Sequence, residues 1–371
     1  MIRKTLGWMG CLALLLSLAA EAGEADAATG EEKVLRLYNW ADYFAPDTLS
    51  AFTRETGIRV IYDVMDSSET LEAKLMAGRS GYDLIFPGDT VAERLMRAGS
   101  LQPLDQGKLE HLADIEPGLR RLQQAYPHSR DAVVPYTWGT IGLTYNAAMI
   151  RQRMADAPVG SLDLLFKPEY ASKLKDCGIA VLDSPQEVIA VVLNYLGKDP
   201  YSTAEADREA AKALLAQLQP NLRYVGQSRQ IDDLAKGEIC LALTYTGDAG
   251  MAAARASEAQ QPFSVVYRIP REGTLIWFDT LAIPGDAPHP EAARAFIDYL
   301  LKPEAIAELT NSLYFANANL AATPLLDAAV SGDPDIYPGP ELRARLFAEQ
   351  ALPLREMRQR TRLWTAFRTQ Y

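Results

Sequence analysis

The chain has 371 residues, 48% of them hydrophobic and 23% charged, and a formal net charge of −11. That is ordinary globular composition, with length for about two domains and sizeable cores. The acid excess argues against nucleic acid and anionic membrane surfaces as partners and mildly favours cationic ligands, although solubility alone also accounts for it.

The N-terminus departs from the rest. Met1-Ile2-Arg3-Lys4 is a short basic region, Leu6 to Ala20 is apolar, and Ala20-Glu21-Ala22 and Ala25-Asp26-Ala27 are small-x-small cleavage patterns. Residues 1–22 read as a secretory signal peptide, with a second cleavage pattern ending at 27. Trp8-Met9-Gly10 before Cys11 is wrong for a lipoprotein. No later apolar run approaches spanning length, so an exported protein without a membrane span is expected.

Val34-Leu35-Arg36-Leu37 reads as the first strand, ending in Tyr38-Asn39-Trp40-Ala41-Asp42-Tyr43. Pro46-Asp47-Thr48 opens a helix that Gly57 ends, Pro near the start and Gly past the end being the usual asymmetry. Ile58, Val60, Tyr62 and Val64 alternate as a strand. Leu71 to Met76 is helical up to Gly78. Tyr82 to Phe86 is a short strand stopped by Pro87-Gly88, and Val91 to Ala98 a helix stopped by Gly99. This alternation predicts an α/β lobe with a mainly parallel sheet.

Val133 to Asn146 is long and extended, with Gly and Pro in its middle, and reads as a segment crossing between lobes. A second α/β set follows. It has a strand at Ile179 to Asp183, a helix opened by Pro185-Gln186-Glu187, helices over Ala204 to Gln217 and Ile231 to Gly237, and a strand at Ile239 to Tyr245. Val265 to Pro270 and Ile276 to Ile283 read as a second extended pair, the return crossing. Pro290 to Leu301 is a helix returned to the first lobe. Two α/β lobes joined by more than one crossing bind ligand in the cleft, outside the carboxyl ends of strands.

Cys177 and Cys240 remain after signal cleavage. In an oxidising compartment they are a disulfide candidate contributing about 3–5 kcal/mol, with two buried free thiols as the rival reading. The three histidines, His111, His128 and His289, are scattered, and no metal site or cofactor motif is read from them. There is no Gly-x-Ser-x-Gly elbow, no phosphate-cradling glycine loop and no His-Glu-x-x-His. A carboxylate-pair hydrolase stays open only because acids are plentiful.

What recurs is an aromatic beside an acid at the end of an element. Trp40 and Tyr43 flank Asp42, Tyr245 precedes Asp248, and Trp277-Phe278 precedes Asp279. Phe315 sits before Ala316-Asn317-Ala318-Asn319. An ammonium group leaving water needs charge partners and hydrogen bonds, and aromatic faces both attract it and cover its methylenes. Acids on two lobes, each taking one ammonium, make binding favour the closed form.

"LRLYNWADYFAPDTLSAFTRETGIRVIYDV", "LMAGRSGYDLIFPG", "VVLNYLGKDP" and "YFANANLAATPLL" together resemble the periplasmic polyamine-binding proteins of ABC importers, the putrescine-binding branch above all. The resemblance runs from about Val34 to Trp364. It implies an α/β fold of the two-lobe, clamshell, type II-like kind with crossing hinge strands. Residues 33–136 with 272–320 would form one lobe, and 137–271 with 321–371 the other. It implies a non-enzymatic protein of the periplasm, acting as a monomer, that takes a polyamine and delivers it to an ABC permease in the inner membrane, with no cofactor and no nucleic acid. Its ligand residues fall on Trp40, Asp42, Tyr43, Glu187, Tyr245, Asp248, Trp277, Asp279 and Phe315, and its paired cysteines on Cys177 and Cys240.

The departures bear on the ligand. Ala41 stands where the family usually has Ser, Tyr245 where it has Trp, Trp277 where it has Phe, and Phe315 where it has Tyr. Gly88-Asp89-Thr90 replaces a Ser-containing stretch and adds Asp89 and Thr90 as candidate ligand residues, suiting a longer or more charged polyamine if Asp89 points inward. Another small amine, such as an amino acid or guanidino compound, is the alternative. A ligand carboxylate would then need Arg229 or Arg271 in the cleft. A sensory role is not separable from transport. The basic C-terminal run reads as a solvated helix face with Met357, Trp364 and Phe367 packed inward.

Overall fold

The computed structural model describes residues 33–369 apart from 42, 124, 125 and 228. The signal peptide expected at residues 1–22, its alternative end at 27 and the site candidate Asp42 lie outside the described residues.

Strand β1 (Val34–Asn39) pairs in parallel with β2 (Arg59–Val64) and with the two-residue β3 (Leu84–Ile85). The helices between them begin and end where local chemistry requires. Gly57, at φ 70°, closes the helix Thr48–Thr56, since a residue without Cβ adopts the left-handed conformation at little cost. The Ser67 hydroxyl accepts from the Thr70 amide at 3.1 Å and caps Ser68–Ala77. Phe52 turns inward against Phe296 and is fully buried, which contributes about 2–3 kcal/mol.

The 14-residue strand β4 (Val133–Asn146) is buried along its whole length and joins the two halves of the fold. Its first part pairs antiparallel with β9 (Leu275–Ala282), its last part with β7 (Leu241–Tyr245) and β8 (Val265–Arg268). Beyond β7 lie β5 (Ile179–Val181) and β6 (Tyr224–Val225), both in parallel pairings. The sheet runs β2-β1-β3-β9-β4-β7-β5-β6, with β10 (Ala316–Asn317) added on β4 and β11 (Phe347–Ala348) on β9. The two-lobe α/β arrangement expected from the sequence is the one observed.

Two details differ from expectation. The extended pair β8 and β9 do not pair with each other: each lies along a different stretch of β4, and β9 makes the crossing. The C-terminal helix Leu354–Arg368 does bury Trp364 and Phe367, but it also buries Arg360 completely. Arg360 donates to the carbonyl of Pro200 at 2.9 Å and lies 3.4 Å from Glu356, one turn earlier. A buried cation persists only where such partners exist. Cys177 and Cys240 form a disulfide with Cα atoms 5.5 Å apart, tying the approaches to β5 and β7.

Candidate functional site

The carboxyl ends of β1 and β7, the crossing strand β9 and the residue before β10 bring five rings into one row. β1 ends at Asn39, whose side chain accepts from the Trp40 amide at 2.8 Å, and the Tyr62 hydroxyl donates to the Trp40 carbonyl. From Trp40 the row runs to Tyr43 (ring centroids 6.4 Å apart), Phe315 (5.3 Å), Trp277 (5.2 Å) and Tyr245 (5.9 Å). The last two contacts are edge-to-face, the favoured arrangement for aromatic quadrupoles. Two glycines make room for the row. A Cβ on Gly247 would lie 2.0 Å from the Phe315 ring, and one on Gly139 would lie 2.4 Å from the Trp277 ring.

Carboxylates stand along the row. Glu187 comes from the first turn of the helix Pro185–Tyr195 and accepts from the Tyr245 hydroxyl at 2.6 Å. Asp248 comes from the first turn of Thr246–Glu258. Asp279 comes from β9, beside Trp277, and is only 6% exposed; its Oδ2 has no hydrogen-bond partner among the described residues. Asp89 begins the helix Asp89–Arg97 and is 2% exposed, with Thr90 buried beside it. The backbone bridge between Gly88 and Asp279, and the Thr280 amide bond to the Pro87 carbonyl at 3.0 Å, hold this helix start against β9.

Glu349 is a fifth acid that the sequence reading missed. Strand β11 pairs in parallel with β9, Ala348 opposite Ile276, so the next residue arrives at the level of Trp277. The Thr90 hydroxyl then donates to Glu349 Oε2 at 2.8 Å. No local signal marks this position: a two-residue strand carries no periodicity.

The electrostatics agree with the geometry. Burial pushes the Asp279 carboxyl up to about 7, with Glu187 adding repulsion and the Tyr43 and Thr137 hydroxyls pulling the other way. Burial alone raises Asp248 to about 7. Glu349 is raised to about 7 by burial and then by Glu187. Asp89 is held well above the usual range by burial and then by Glu349, and Glu187 is raised by burial. Glu187, Asp248 and Glu349 keep part of their surface open, yet each is enclosed deeply enough for desolvation to dominate.

Among the described residues none of the five forms an ion pair with Lys, Arg or His, and no group of three His, Cys, Asp or Glu is placed to hold a metal ion. Negative charge spread along an aromatic wall suits an elongated organic cation better than a compact ion. Arg229 and Arg271 do not serve a ligand carboxylate here. Both are largely exposed, Arg229 on Asp233 at 2.8 Å and Arg271 near Asp163 at 3.6 Å. A cavity of about 680 Å³ opens elsewhere, lined by Arg268, Asp333 and Asp335, but Asp335 is already paired with Arg268 at 2.8 Å.

Residues 47–338 match the family of bacterial extracellular solute-binding proteins. The chain is 44% identical, over 96% of its length and 96% of the relative's, to the putrescine-binding periplasmic protein PotF of Escherichia coli (strain K12). It is 44% identical, over 96% and 97%, to the putrescine-binding periplasmic protein SpuD of Pseudomonas aeruginosa (strain UCBPP-PA14). Among solved structures it is similar to the spermidine/putrescine ABC transporter substrate-binding protein PotD of Streptococcus pneumoniae. The TM-score is 0.78 at 28% identity, over 90% of this chain and 98% of the other.

Proposed function

This chain belongs to the bacterial extracellular solute-binding proteins, and from that premise we propose that it captures an aliphatic polyamine in the periplasm and delivers it to an ABC importer. Putrescine-binding relatives at 44% identity support the ligand class. The observation that carries the reading is the row of five aromatic rings flanked by Asp89, Glu187, Asp248, Asp279 and Glu349, none of them in an ion pair among the described residues.

In this reading Trp40, Tyr43, Tyr245, Trp277 and Phe315 wall the methylene chain, and Glu187, Asp248 and Asp279 take ammonium groups. Asp42, two residues after Trp40 in sequence and outside the described residues, is a further candidate acid for the same role. No bond is made or broken, and the protein is not an enzyme. Residues 33–136 with 272–320 act as one lobe, and 137–271 with 321–371 as the other. The ligand favours closure because its contacts come from both. Titration calorimetry with putrescine, cadaverine, spermidine and spermine tests this. Saturable binding of at least one is expected; binding of none, with tight binding of a sugar or peptide, overturns it.

A further inference from the structure

The helix start at Asp89 meets the segment at Glu349, and the pair is built in a way that a two-charge ligand does not use up. Asp89 Oδ1 accepts from the Thr90 amide at 2.8 Å and the nearby Tyr126 hydroxyl favours its charged form, while no hydrogen bond of good geometry reaches the buried Oδ2 among the described residues. The Thr90 hydroxyl is committed to Glu349 at 2.8 Å. The neighbouring Tyr126 hydroxyl donates to the Glu349 backbone carbonyl, and the Tyr201 hydroxyl donates to the Ala348 carbonyl at 2.8 Å. These bonds fix two acids beside one another and supply no positive charge.

The arginines whose fields reach Glu349 are engaged elsewhere. Arg94 holds Glu72 at 2.7 Å, and Arg360 holds Glu356 and the Pro200 carbonyl. Paired acids held out of water carry a large desolvation and repulsion cost unless a cation joins them. The amides at the helix start favour Asp89 as the carboxylate once that cation arrives. Asp89 also lies one residue beyond the Gly88–Asp279 bridge, so the pair continues the line of acids from Asp279.

We infer that Asp89 and Glu349 form a subsite for a third ammonium group, so that the preferred ligand is a linear amine with three or more ammonium groups rather than a diamine. This rests on the polyamine reading above. A diamine has two charges, which Glu187, Asp248 and Asp279 already match or exceed, and it leaves Asp89 and Glu349 unneutralised. A triamine or tetramine reaches both sets.

The test is calorimetric titration of the wild type, Glu349→Gln and Asp89→Asn with putrescine, agmatine, spermidine and spermine. Circular dichroism and thermal melting check the fold of each variant. The wild type is expected to bind spermidine or spermine at least about tenfold more tightly than putrescine, and that ratio is expected to fall at least about tenfold in both variants. A wild type that prefers putrescine or agmatine, or folded variants that keep the wild-type ratio within about threefold, overturns the subsite while leaving the polyamine reading intact. Binding of no amine by the wild type ends that reading and the subsite with it. The wild-type preference decides even if a variant fails to fold.

Discussion

The Tyr245 hydroxyl donates to Glu187 at 2.6 Å, joining the aromatic end of β7 to the start of the helix Pro185–Tyr195. Glu187 is a desolvated acid, and this bond is one of the few influences that favour its charged form. Tyr245→Phe therefore strands the carboxylate. A loss of about 1–3 kcal/mol is expected in chemical denaturation with the acid ionised, shrinking as the pH is lowered and the acid takes up its proton.

Asp279 is an almost fully enclosed acid beside the aromatic row, and its Oδ2 lacks a partner among the described residues. Asp279→Asn keeps the shape and removes the charge. Polyamine affinity measured by calorimetry is expected to fall by about 2–4 kcal/mol, or about 30- to 1,000-fold, the scale for losing one partner of an enclosed charge pair. The melting temperature of the free protein is expected to hold or rise, because an uncompensated acid has gone.

Room for the rings depends on glycine. At Gly247 a Cβ would meet the Phe315 ring at 2.0 Å, and no flexible chain end is there to yield. Gly247→Ala is expected to displace Phe315, lower polyamine affinity at least about tenfold and change the near-ultraviolet circular dichroism, with the far-ultraviolet spectrum preserved.

Asp248, Asp279 and Glu349, each raised to about 7, make the free protein pH-sensitive. Unfolded carboxyls titrate near 4, so the folded state binds these protons more tightly. Their stabilising contribution is full below about pH 4 and is lost as the pH rises through about 7. Thermal melts of the free protein between pH 5 and pH 8 are expected to show a falling melting temperature. Added spermidine is expected to raise it more at pH 8 than at pH 5.

The disulfide closes a loop of sequence separation 63. Cys177→Ser with Cys240→Ser is expected to cost about 4 kcal/mol in denaturant unfolding, by restoring loop entropy to the unfolded chain. Reductant is expected to reproduce the loss in the wild type and to leave the double variant unaffected.

Much of this framework was legible in the sequence. The crossing strand Val133–Asn146 shows itself as a long extended run with internal Gly and Pro, and helix ends such as Gly57 follow from backbone freedom. The acids at 89, 187 and 248 were legible as candidates because each sits in the first turn of a helix, and Asp279 because it follows Trp277-Phe278, although it lies inside β9 rather than at its end. Glu349 was not, since a short parallel pairing with β9 carries it across the fold and leaves no pattern in the residues around it. Nor was the burial of Arg360, whose partners at Pro200 and Ser202 are remote in sequence.

The central claim is that an amine sits on desolvated carboxylates, and proton exchange on binding tests it most directly. Spermidine keeps its charge at neutral pH, so settling on Asp248, Asp279 and Glu349 must drive their protons off. Calorimetric titration at pH 7 in two buffers of different ionisation enthalpy is expected to show release of about one to two protons, with affinity falling as the pH drops from 8 to 6. Saturable binding with no proton release, or with proton uptake, and with affinity flat over that range, contradicts the account.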